Sequence, residues 1–201
     1  MNQNQSQKNL DIKIITLGDS HVGKSSLIIR FIDNKFSQVY VTTMGFDIKM
    51  KQLNLNDGTE AKLMIFDTAG QERFKSLAQS YVKKADGILM VYDISERETF
   101  QSVESWMESA EYMNEKLPII LIGNKSDLND DRQVSYEEGK KKADEYECPF
   151  YETSCKTGDN VDKCFTELAE LVYGKTGKKT SKKSGQKLKK TNTKSKKKGC
   201  C

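Results

Sequence analysis

The chain has 201 residues, 36% of them hydrophobic and 31% charged; that is enough for one well-buried domain, and no apolar run approaches the roughly 20 residues that a membrane-spanning helix needs. The net charge of +4 hides an asymmetry: residues 174–201 hold 12 Lys and no acid, which leaves 33 − 12 = 21 Lys and Arg against 29 acids, or −8, on the rest. A mildly acidic body with a strongly basic tail excludes an evenly basic nucleic-acid binder and points the tail at an anionic surface: membrane, nucleic acid or an acidic partner.

Residues 1–9 are polar and rich in Asn and Gln, and are expected to be disordered. They have no apolar signal-peptide core, and no Gly follows Met1 for myristoylation. From Asp11 the run IKIITLG reads as a strand that leads into GDSHVGKS, and LIIRFI after Ser26 reads as a helix. Phe46–Leu55 and Ala61–Phe66 read as strands joined through Asn56-Asp57-Gly58, a hairpin signal. GILMVYDI (87–94) and PIILIGN (118–124) are continuous apolar runs, as parallel strands buried on both faces require. Phe100, Val103, Met107, Ala110 and Met113 recur at helical spacing between them. Val161, Cys164, Phe165, Leu168, Leu171 and Val172 do so again near the end; both sets are read as core. After Tyr173 the apolar pattern stops, and the Lys, Ser, Thr and Gly tail is expected to be disordered. Cys148, Cys155 and Cys164 lie in the body, and Cys200 and Cys201 in the tail. With one histidine, His21, no zinc-like spacing arises, and the thiols are expected to be reduced.

Alternating strands and helices predict an open α/β sheet with right-handed crossovers, whose ligand lies beyond the carboxyl ends of the strands. The motifs fall at those ends. Gly18, Asp19, Ser20, His21, Val22, Gly23, Lys24 and Ser25 match G-x-x-x-x-G-K-[ST], with Ser26 following, between a predicted strand and helix. Successive N–H groups of such a loop wrap a phosphate; Lys24 reaches the β- and γ-phosphates, and the Ser25 hydroxyl ligates Mg²⁺. After PIILIG comes NKSD, Asn124 to Asp127, followed by Leu128. Asp127 can accept two hydrogen bonds from an edge that guanine presents and adenine does not, and the Lys125 stem can cover the base. ETSCKTG (152–158) contributes Ser154, Cys155 and Lys156, with a backbone N–H for guanine O6. DTAGQERF (67–74) follows KLMIF: Asp67 holds Mg²⁺ through a water, Gly70 offers its N–H to the γ-phosphate, and Gln71 orients the attacking water. Thr43 in VTTMGFD is the candidate second hydroxyl ligand, with Thr42 beside it as the alternative. The catalytic set is thus Gln71, Thr43, Gly70 and Lys24, and the metal set Ser25, Thr43 and Asp67.

Taken together, these motifs resemble the small GTPases over about residues 10–173 and in family order. Within that superfamily GDS in the loop, DTAGQERF, YDIS and the terminal Cys-Cys resemble the Rab branch. The resemblance implies a P-loop NTPase G domain: a six-stranded, mostly parallel sheet with five flanking helices, between a disordered 1–9 extension and a Lys-rich 174–201 tail. It implies GTP binding and hydrolysis with Mg²⁺, slow alone and stimulated by a GTPase-activating protein, in the control of vesicle traffic. Two switch segments, near 38–49 and 67–82, would order around the γ-phosphate. Phe36 in DNKFSQ would pack edge-on against guanine. Implied partners are an exchange factor, effectors, an escort protein and a GDP-dissociation inhibitor, with no nucleic acid and a monomeric state. Cys200 and Cys201 would carry prenyl chains at the cytoplasmic face of endomembranes, cycling with the cytosol. A lipid contributes about 0.8 kcal/mol per buried CH₂ and stable anchoring takes two signals; basic residues near an anionic leaflet add roughly 1 kcal/mol each.

Departures from the family pattern sit at Ile48 (commonly aromatic), Phe66 (commonly Trp), Cys155 (commonly Ala) and His21 (commonly small), while Tyr81 is kept. His21 is either tolerated or tunes nucleotide release. A nuclear-transport GTPase without lipid, a nucleotide-bound scaffold that does not cycle, and a nucleic-acid binder using the tail are the alternatives; the tail lacks the interleaved aromatics that base stacking would use.

Overall fold

A computed structural model of the chain describes residues 10–37, 46–68, 80–114 and 117–183. Six strands form one sheet in the order β2-β3-β1-β4-β5-β6. They are β1 (Leu10–Leu17), β2 (Phe46–Asn54), β3 (Glu60–Thr68), β4 (Gly87–Asp93), β5 (Ile119–Asn124) and β6 (Phe150–Thr153). Only β2 runs antiparallel to its neighbour; the other pairings are parallel. The α-helices that lie wholly within the described residues are α1 (Lys24–Asp33), α2 (Arg97–Gln101), α3 (Val103–Met113), α4 (Tyr136–Glu145) and α5 (Val161–Lys183), with α3 following α2 after a single residue, and a 3-10 turn spans Asn129–Asp131. The six-stranded, mostly parallel sheet with five helices is the α/β architecture expected.

Strand chemistry explains the layering. Every residue of β4 is buried, as a central parallel strand covered on both faces must be. The edge strand β2 leaves Ile48 and Met50 exposed. Its hairpin to β3 closes through hydrogen bonds from Leu55 N to Thr59 O and from Gly58 N to Leu55 O, both 2.9 Å, at the predicted turn. Two apolar layers result. One lies under α1 and α5, where Phe31 stacks on Phe165 with ring centroids 4.1 Å apart. The other lies under α3 and α4 and holds Tyr92, Trp106 and Met107.

Two helices differ from the sequence expectation. No element was expected at 136–145, because α4 buries only Gly139 and Ala143 and so shows no apolar periodicity. Its start is instead fixed by a capping box, in which the Ser135 hydroxyl accepts from Glu138 N and the Glu138 side chain accepts from Ser135 N. The second difference is a correction: disorder was expected from 174 onward, but α5 continues to Lys183. Extending a docked helix skips the nucleation cost, and Lys is a good helix former whose charge suits a helix C-terminus. Among the described residues no helix is long and apolar enough to cross a membrane.

Candidate nucleotide site

The phosphate loop lies between β1 and α1 and is held by close backbone approach. At Gly18 (φ 135) an added Cβ would sit 2.0 Å from Val91 O, and at Gly23 (φ 93) 2.4 Å from Asn124 Nδ2. Neither site accepts a side chain, so both glycines are required by space as well as by φ. His21 is exposed and also left-handed, at φ 66. Helix α1 begins at Lys24 with no side-chain cap, so its first N–H groups point into the loop as an anion site would have them.

Lys24 is buried, and its ammonium donates to Gly18 O (2.9 Å) and Asp19 O (2.5 Å). Burial lowers its pKa to about 8, against the opposing pull of the Asp67 and Asp19 carboxylates. Asp67 is buried at the end of β3, and its Oδ1 has no hydrogen-bond partner among the described residues. Desolvation pushes its carboxyl up, while the Ser25 hydroxyl and the Lys24 ammonium pull it down. Thr68 Oγ1 donates to Thr16 O (2.7 Å) and locks this end of β3 onto β1. An orphaned buried carboxylate oxygen beside a serine hydroxyl is a hard-oxygen donor set, which fits Mg²⁺.

The base side is wired from several elements. Asn124 is buried; its Nδ2 donates to Val22 O (2.8 Å), and its Oδ1 accepts from Thr153 Oγ1 (3.0 Å) and Cys155 Sγ (3.5 Å). It therefore struts the phosphate loop against β6. Ser154 Oγ donates to Asp127 Oδ1 at 2.6 Å, and Lys156 Nζ lies 3.8 Å from Asp127 Oδ2. A carboxylate has about four acceptor sites, so Asp127 keeps capacity for a base edge. Leu128 N donates to Lys125 O at 2.9 Å and closes the turn. Cys155 is buried, which pushes its thiol up to about 11 and leaves it unreactive. Val22 is buried, Ser20 and Ser26 are half-buried, and Phe36 is exposed.

Two contacts were not expected from sequence. Arg30 Nε donates to Cys155 O at 2.6 Å and its Nη2 donates to Lys156 O, so α1 clamps the 154–156 loop. Trp106 Nε1 on α3 donates to Asp19 Oδ1 at 2.8 Å, pinning the phosphate loop from the other side. No local motif carries either contact. The only available signals were a lone arginine in an apolar helix and the single Trp of the chain. Thr42, Thr43, Gly70, Gln71, Cys200 and Cys201 lie outside the described residues.

A glycine-bound loop feeding a helix, a buried carboxylate one strand away and the Asn124–Asp127 turn two strands away, all at the carboxyl ends of one sheet, define a phosphate-loop nucleotide-binding domain. Residues 13–174 match the Ras family. The chain is 45% identical over 158 residues to Ras-related protein RIC1 of Oryza sativa subsp. japonica, covering 78% of each chain. It is 45% identical over 162 residues to GTP-binding protein ypt2 of Schizosaccharomyces pombe, covering 80% of each. To Ras-related protein SEC4 of Saccharomyces cerevisiae it is 41% identical over 165 residues, covering 82% of this chain and 76% of that one. The chain belongs to the Ras family, on its Rab, Ypt and Sec4 side; it is a GTPase, a GTP-binding and GTP-hydrolysing switch of intracellular vesicle traffic.

Proposed function

We propose that this switch is Mg²⁺-dependent, that Gln71 and Thr43 complete its hydrolytic site, and that Cys200 and Cys201 attach it to membranes. The observation that carries the metal reading is the unpaired buried Oδ1 of Asp67 beside Ser25. With nucleotide present, the Lys24 ammonium exchanges Gly18 O and Asp19 O for β- and γ-phosphate oxygens, while the loop N–H groups and the start of α1 take the remaining negative charge. Ser25, Thr43 and Asp67 would hold Mg²⁺, which neutralises charge on the transferring phosphoryl group. Gly70 donates its N–H to the γ-phosphate, and Gln71 orients the attacking water. Asp127 reads the guanine edge, Lys125 and Phe36 cover the ring, and the 154–156 loop supplies an N–H for O6.

No motif residue supplies a cis arginine finger; Arg73 resembles a switch residue. Hydrolysis alone is therefore slow and rises with an activating protein. An exchange factor, effectors, an escort protein and a GDP-dissociation inhibitor complete the cycle. Effectors read the apolar surface around Ile48 and Tyr81, under which Phe66 is buried. That surface is supported by the Ile48–Phe66 pairing across β2 and β3 and by a 5.6 Å ring contact between Phe66 and Tyr81. Met50, 54% exposed, extends it toward the hairpin. Two lipid chains and the Lys tail supply the two anchoring signals.

GTP turnover of wild type and Gln71→Leu, each with an activating protein, tests the hydrolytic role. The variant is expected to turn over at least about 100-fold more slowly, in line with transition-state positioning in such sites; equal rates contradict it. Replacing Cys200 and Cys201 by Ser should release the protein from the membrane fraction.

A further inference from the structure

The base side holds one charged pair that nucleotide recognition, as described, leaves unused. Asp93, the last residue of β4, is 2% exposed. Its Oδ1 accepts from Ser95 N (2.9 Å) and Ser95 Oγ (2.7 Å), and its Oδ2 lies 2.5 Å from Lys125 Nζ. A carboxylate this deep is tolerated only when paired and hydrogen-bonded, and Lys125 is its cation. The sheet register sets up the meeting. Asp93 pairs with Asn124 across β4 and β5, and Ile94 N donates to Asn124 O at 3.1 Å, so Lys125 is the first residue past the end of β5 beside Asp93. Lys125 is also left-handed, at φ 66, a conformation strained for a residue with a Cβ. Its side chain is about one-third exposed, and it lies between Asn124, which is tied to the phosphate loop, and Asp127.

We infer that Asp93 is a positioning residue for nucleotide binding: by holding the Lys125 ammonium it fixes the Lys125 alkyl stem as a wall of the guanine slot. The inference rests on the proposed role of Lys125 as a cover for the base. A lysine free on a loop end loses several rotatable bonds of freedom when it must lie flat on a ligand. Anchored at its tip by Asp93, it is ordered before the nucleotide arrives, and preorganisation of this kind strengthens binding without a new contact to the ligand. The strained φ of Lys125 is the backbone side of the same arrangement, since it turns the residue back toward the end of β4.

The test is GDP release from the full chain in Mg²⁺, measured for wild type, Asp93→Asn, Lys125→Met and the double variant, with inosine diphosphate run in parallel. Asp93→Asn keeps the volume and the Ser95 contacts and removes the charge. It is expected to speed GDP release roughly 10- to 100-fold, the scale of a hydrogen bond to a charged group. Lys125→Met is expected to speed it at least as much, and the double variant no more than the faster single one, because both act through one stem. GDP and inosine diphosphate should speed up by the same factor, since Asp127 and not Lys125 reads the exocyclic amine. Release from Asp93→Asn within twofold of wild type, beside fast release from Lys125→Met, overturns the inference, as does full additivity of the two. Lys125→Met releasing at the wild-type rate overturns the base-cover reading itself and the inference with it. Should Asp93→Asn fail to fold, Ser95→Ala removes one of the two donors to Oδ1; a smaller acceleration that vanishes in the Lys125→Met background supports the inference, and unchanged release overturns it.

Discussion

On the base side of the site Asn124, Asp127 and Ser154 are each bonded to other parts of the protein. On the phosphate side the Asp67 Oδ1 has no hydrogen-bond partner among the described residues, and the Lys24 ammonium is turned back onto its own loop. The loops proposed to hold the base are thus tied together at folding, through β5, β6, α1 and the phosphate loop. On the proposed assignment the phosphate end is completed by what it binds: a buried ammonium now held by carbonyl oxygens, and a buried carboxylate oxygen without a hydrogen bond among the described residues, would both gain when nucleotide and metal arrive. A switch would gain from this division, because the half proposed to select guanine would stay constant while the half proposed to sense the γ-phosphate changed partners.

The largest expected effect breaks the phosphate half alone. Lys24→Met should weaken GTP binding at least about 100-fold, since charge-assisted contacts to both the β- and the γ-phosphate go. It should leave the nucleotide-free melting temperature unchanged or raised, because burial already penalises the ammonium. Calorimetric binding and thermal melts of nucleotide-free protein check both parts; a clear fall in that melting temperature would mean that Lys24 holds the fold.

A smaller but broader effect comes from Asn124→Ala. It strands Val22 O and Thr153 Oγ1, which costs about 2–4 kcal/mol and lowers the nucleotide-free melting temperature by about 5–10 °C. GDP binding should weaken along with it. If the melting temperature does not move, the base half is not built in advance.

The smallest effect concerns the frame around the base half and depends on pH. The Ser135 N–H, the Arg97 guanidinium and the Ser135 hydroxyl hold the Glu138 carboxyl down at about 2, below its ordinary 4.5. A carboxylate lowered in the folded state contributes stability above its unfolded pKa and loses it as pH falls through the folded value. Glu138→Gln should therefore melt below wild type at pH 5 to 7, with the gap closing between pH 4.5 and 2. A gap that is constant across that range would assign Glu138 no charge role.

Much of this site is readable in the chain because its chemistry is local. The spacing of Gly18, Gly23, Lys24 and Ser25 states the loop, and apolar runs state β4 and β5. Parts that depend on register between distant strands are not readable that way. Asp93 meets Lys125 only because β4 pairs with β5 in one alignment, and Arg30 reaches Cys155 O across 125 positions of sequence. Helix α4 escaped for a different reason: it is nearly all polar, and only S-x-x-E at Ser135–Glu138 marks its start. The helical stretch after Tyr173 is inherited from the docked turns before it, which composition does not register.

Amide hydrogen exchange of the nucleotide-free chain, before and after addition of GDP and Mg²⁺, compares the two halves directly. Amides of residues 121–124 and 153–154 should be protected already and change by less than about twofold, whereas those of 20–25 should slow by about tenfold or more on addition. Equal gains in both segments, or unprotected base-side amides before nucleotide is added, would contradict the account.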